Sequence, residues 1–143
     1  MQFTFPAFLL ALLASQDSNT NYGVISPADG TTISQSTPLN LTFGPHRYFK
    51  ESDISIDVFL LNREMKISPK SGIYTTQVVS GMKPNIEIEY QGITTGGYHV
   101  DIDLRQMSWP VPGERTVLVK ETFNGYGTGV TTNFWSQTFS VTE

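Results

Sequence analysis

Apolar and polar residues alternate with a period of two along much of the chain. Leu39, Leu41 and Phe43 are interleaved with Asn40 and Thr42, and Ile54, Ile56, Val58 and Leu60 with Ser55, Asp57 and Phe59. Ile86, Ile88 and Tyr90 alternate with Glu87 and Glu89, and Tyr98, Val100, Ile102 and Leu104 with His99, Asp101 and Asp103. Successive side chains of an extended chain point to opposite faces, so each run predicts a strand with one dry and one wet face. Stretches rich in Val, Thr and aromatic residues predict two further strands at 116–123 and 134–142, and a short first strand covers 22–26.

Turn chemistry separates these runs. Ser26-Pro27-Ala28-Asp29-Gly30, Gly44-Pro45, Ser68-Pro69-Lys70-Ser71-Gly72, Gly96-Gly97 and Pro110-Val111-Pro112-Gly113 all read as turns, and the glycine-rich 124–129 as a hairpin tip. No window beyond the N-terminal stretch has a convincing helical period. About seven short strands with frequent turns predict an all-β fold, a two-sheet sandwich of the immunoglobulin or fibronectin type. A small β-barrel is the alternative.

The N-terminal MQFTFPAFLLALLA carries no charged side chain, and its apolar run is too short to span a bilayer. Small and polar residues follow at once. This order predicts a cleavable signal peptide over 1–16, an extracellular location, and one β-sandwich domain over 17–143. A buried N-terminal helix is the alternative, but it would normally keep a polar face. No apolar tail follows FSVTE, so a lipid anchor of the GPI type is not expected.

The 143 residues include no cysteine, which removes thiol catalysis, thiolate metal sites and disulfide scaffolds together. A net charge of −4 argues against nucleic acid and anionic membranes as partners.

Two stretches resemble secreted fungal families. Val24-Ile25-Ser26-Pro27-Ala28-Asp29-Gly30-Thr31-Thr32-Ile33 is similar to the start of small secreted fungal β-sandwiches. Tyr98-His99-Val100-Asp101-Ile102, then Pro110-Val111-Pro112-Gly113 leading into 114–119, and the ending Phe139-Ser140-Val141 resemble the second half of the necrosis-inducing secreted effector family. That resemblance implies an immunoglobulin-like fold and a non-enzymatic effector acting on plant immune receptor kinases. The opening strand and turn also resemble the fungal cell-wall β-glucan assembly domain. Neither resemblance transfers a functional residue.

The most suggestive chemical pattern is His99-x-Asp101-x-Asp103, expected on the wet face of one strand with neighbours roughly 6.5 Å apart. Were Glu87 and Glu89 on an adjacent strand, the carboxylates would share a patch able to bind Ca²⁺ or to act as an acid/base pair on glycosides. A solvated sheet face explains the same residues without a metal, and an open face lacks the desolvated acid that catalysis needs. No Gly-x-Ser-x-Gly elbow or His-Glu-x-x-His spacing is present, and His46 and His99 are the only histidines.

The aromatic residues Trp109, Tyr48 and Tyr126 are expected on loops, where they could stack on sugars or anchor an interface, while Trp135 is expected in the core. Asn40-Leu41-Thr42 is a glycosylation sequon with Asn40 on the wet face. The expected function is that of a secreted, cofactor-free, non-enzymatic interaction protein, a fungal effector binding host surface immune receptor components. The alternative is a module that binds cell-wall polysaccharide or assembles β-glucan.

Overall fold

The alternating runs do form strands. The computed structural model describes residues 22–45, 50–62, 75–90 and 92–143. The expected signal peptide at 1–16, Tyr48 and the expected turn at 68–72 therefore lie outside the described residues. Nine strands are described: β1 (Gly23–Ser26), β2 (Thr32–Ser34), β3 (Leu39–Gly44), β4 (Ser52–Leu61), β5 (Thr75–Met82), β6 (Ile86–Tyr90), β7 (Ile93–Ile102), β8 (Gly113–Gly125) and β9 (Gly129–Thr142). The only other element described is a 3₁₀ turn, Leu104–Gln106.

The strands make two sheets, ordered β1-β3-β7-β6 and β2-β9-β8-β4-β5, packed face to face and not closed into a barrel. This is the strand order of the immunoglobulin sandwich, with one additional edge strand, β5. Its first strand is divided: β1 pairs antiparallel with β3, and β2 pairs parallel with β9.

Nine strands replace the seven expected from the sequence. β2 is only three residues long, and β5 reads TTQVVSGM, where the polar–apolar alternation fails. Gly96-Gly97 is not a turn: it lies inside β7, and the β6–β7 hairpin closes where Tyr90 faces Ile93. Gly97 is buried with Ile86 and Ile88 against its Cα, where a Cβ would come within 3.2 Å of Ile88.

The core lies between the inner faces. Leu39, Leu41, Phe43 and Tyr98 of one sheet meet Ile56, Val58, Val119 and Phe139 of the other, all essentially solvent-free. Trp135 crosses between the sheets, its ring edge-on to Phe43 at 5.9 Å and to Tyr22 at 6.1 Å. Its Nε1 donates to Oε1 of Glu121 at 2.8 Å, which gives that fully buried carboxyl a partner. Gly23, at φ 77°, passes so close to this indole that a Cβ would sit 3.1 Å from it.

One arginine organises the opposite end. Arg115 Nε donates to Val111 O at 2.7 Å, Nη1 to Asn62 O and Glu114 O, and Nη2 to Pro110 O and Pro112 O. The prolines and Gly113 thus form a loop wrapped around a guanidinium, which also lies 5.5 Å from the Trp109 ring centroid. Partial burial lowers the Arg115 pKa from its usual value. Lysine has no planar fork to reach five carbonyls. Arg115→Lys is expected to cost about 2–4 kcal/mol, read as a lower urea midpoint with an unchanged slope.

Candidate functional site

The site arises because β6 is shorter than β7. Its pairing runs from Tyr90 opposite Ile93 to Ile86 opposite Gly97 and then stops. Asn85 carries the ladder one step further with its side chain: Nδ2 donates to His99 O, and His99 N donates to Asn85 Oδ1, both at 2.8 Å. Beyond His99, β7 has no neighbour on that side among the described residues, and β5 is the edge of the other sheet. The gap between the two is a groove of about 320 Å³.

Its floor is the apolar rim of the core. Val78 of β5, Val100 of β7 and Met107 line it and pack against the central cluster. Asp101, Asp103, Gln77 and Gln106 supply the polar walls. Thr76 joins the lining and accepts a hydrogen bond from Trp109 Nε1 at 2.8 Å, which fixes β5 to the loop before β8.

Asp103 is not on the strand, as its spacing suggested. β7 ends at Ile102, and Asp103 caps the 3₁₀ turn, its Oδ1 accepting from Arg105 N and Nε at 3.0 Å and its Oδ2 from Nη2 at 3.2 Å. These bonds, the guanidinium first and the backbone N–H second, hold its pKa at about 2 rather than 3.8, and the same pairing raises Arg105. Asp101 is the more available carboxylate: its side chain is 61% exposed, with His99 Nε2 3.4 Å from its Oδ1.

His99 also bonds Thr42 Oγ1 through Nδ1 at 2.9 Å. Hydroxyl, imidazole and carboxylate therefore line up as Thr42–His99–Asp101. The line lies along the outer face of the four-stranded sheet, neither Thr42 nor His99 lines the groove, and Thr42 Oγ1 also reaches Asn40 Oδ1 at 3.5 Å. Hydroxyl and imidazole thus stand outside the groove, and the geometry is that of a polar cross-strand ladder.

The other expected site residues are dispersed. β6 and β7 are adjacent, but Glu87 faces Gly96 and Glu89 faces Thr94, which puts them about 16 Å or more along the strand from Asp101. The carboxylates form no shared patch, and among the described residues no group of three potential metal ligands occurs. Trp109, a candidate for stacking on the loop before β8, is 7% exposed and packs in the core. Tyr126 is 63% exposed on the β8–β9 tip with Lys50 Nζ 5.3 Å from its ring centroid. It lies at the other end of the sandwich, about 20 Å from the groove by strand rise, since Asn124 faces Ser52 while Gln77 faces Phe59. Asn40 is exposed on β3 directly opposite Asp101, with the sequon Thr42 on the same face.

Sequence reasoning missed Thr76, Gln77, Val78, Gln106 and Met107. The β-branched content of TTQVVS was the available signal for β5. Comparison with protein-family models, curated proteins and solved structures finds no match for this chain.

The Asp103 pairing has a readable consequence. Its folded pKa lies below the ordinary value, so the stabilisation it gives is complete above about 3.8 and disappears only as the pH falls through about 2. A carboxyl NMR titration is expected to place Asp103 near 2, and Arg105→Ala to return it toward 3.8.

Proposed function

We propose that this protein is a secreted, non-enzymatic interaction protein that binds a cell-surface protein of a host through the groove between β5 and the end of β7. The observation that carries this reading is the chemistry of the groove: an apolar floor of Val78, Val100 and Met107 beside the exposed Asp101 carboxylate and the amides of Gln77 and Gln106. A lysine or arginine of a partner protein can lay its aliphatic stem on such a floor and bring its charge to the carboxylate. An apolar centre with a polar rim is the usual anatomy of a recognition surface.

The uncharged leader supports export. The resemblance of 98–102, 110–119 and 139–141 to the necrosis-inducing secreted effector family favours a host partner of the immune-receptor type. The reading requires no cofactor and no metal, and the acidic groove suits neither nucleic acid nor an anionic membrane. On export through a glycosylating pathway, a sugar on Asn40 would stand beside Asp101 at the rim of the groove.

The polysaccharide alternative has less support. Sugar stacking needs accessible aromatic faces, whereas Trp109 is buried and Tyr126 lies at the far end from the groove, beneath Lys50.

Labelled protein is expected to bind intact host cells, and protease treatment of those cells to abolish the binding. Asp101→Lys should weaken binding roughly tenfold or more, with thermal stability unchanged. Binding that survives protease treatment, together with sedimentation on insoluble β-glucan, would replace this reading with the polysaccharide one.

A further inference from the structure

Most sheet edges in this protein carry a device that discourages pairing with another strand. β1 is four residues long, with a register shift between Val24 and Ser26. β2 has three residues. β5 has two register irregularities against β4, and Gly81 within it adopts φ 61°. β6 is short and carries Glu87 and Glu89.

The N-terminal half of β9 carries none. β9 reads GVTTNFWSQTFSVT, without a charged residue or a proline, and it pairs with β8 without a register shift. β2 covers β9 only at Ser140–Thr142, with Thr31 and Gly30 bonding Ser140 and Thr138 just before it. Among the described residues no strand lies beside Val130, Thr132 and Phe134 on the side away from β8.

The phase of the backbone follows from those bonds. Thr138 O accepts from Gly30 N at 2.9 Å, and Ser140 N donates to Thr31 O at 2.8 Å. Even-numbered residues of β9 therefore direct their N–H and C=O groups away from β8. Val130, Thr132 and Phe134 continue that phase, and Val130 and Phe134 are two of the three large hydrophobic side chains exposed among the described residues, at 68% and 42%.

We propose that this edge pairs with the same edge of a second copy of the chain, antiparallel about a twofold axis at Thr132. In that register Thr132 faces its own copy, and Val130 of each chain faces Phe134 of the other. About six backbone hydrogen bonds form, and each exposed aromatic gains a β-branched cross-strand neighbour. The segment is uncharged, so self-pairing opposes no like charges, and the twofold closes on itself as a finite dimer with a continuous sheet. A self-complementary register is what favours a second copy over a foreign strand. The observation is independent of the groove, which lies on the opposite edge of the same sheet.

Sedimentation velocity of the purified protein tests this. A dimer is expected at about 100 µM, dissociating on dilution. Thr132→Pro removes a ladder donor and Phe134→Lys places a cation on each strand of the dimer interface. Each should weaken dimerisation roughly tenfold or more, with the far-UV circular dichroism of Phe134→Lys unchanged. Wild-type protein that remains monomeric at about 100 µM overturns the proposal. So does a dimer that Phe134→Lys leaves intact.

Discussion

No disulfide joins the two sheets, because the chain contains no cysteine. The sandwich depends on apolar contact between inner faces, and that contact depends on the alternation along β3 and most of β4 and on the buried run Val117–Val119 of β8. Each fully buried leucine, valine or phenylalanine is worth about 1.5–3 kcal/mol, and the inner faces supply a contiguous set of them. A slip of one residue in register would turn this set to solvent. The one buried carboxylate described in this core is accommodated by a specific bond. The Glu121 carboxyl takes the Trp135 N–H, and the same indole packs against Phe43, so satisfying a buried polar group and joining the sheets are one arrangement.

The groove follows from how that core is finished at its edge. The short β6 leaves the last part of β7 uncovered, and Asn85 closes the ladder with a side chain instead of a further strand. Val78, Val100 and Met107 belong to the core and yet line the opening. On the other side, Arg115 fixes the loop that carries Trp109, and Trp109 fixes Thr76. The walls are held by groups that themselves have partners, so a ligand would meet a preformed cleft.

Much of the architecture was legible in the sequence. Alternation marked β3, β4, β6 and β7, because each has one wet face and one dry face. β5 was not legible because its irregular pairing with β4 breaks the period, and Gly96-Gly97 misled because a glycine pair inside a strand, Gly96 against Pro84 and Gly97 under Ile86 and Ile88, looks the same in sequence as a turn. The site was legible only in part. Asp101 stands where alternation put it, but Asp103 leaves the strand to cap a 3₁₀ turn, an event set by its bonds to Arg105. Trp109 next to a proline-rich segment left open whether its ring stands out or tucks under the loop. The carbonyls of that segment converge on Arg115, and the ring turns inward.

The proposed function has a partner protein dock in the groove between β5 and the end of β7. A photo-activatable cross-linking residue at Gln106, on the groove, and another at Glu87, on the exposed edge strand away from it, test this on intact host cells. A discrete covalent adduct with a host surface protein is expected from position 106 and none from position 87. Equal labelling from both positions, or an adduct from 87 alone, would contradict it.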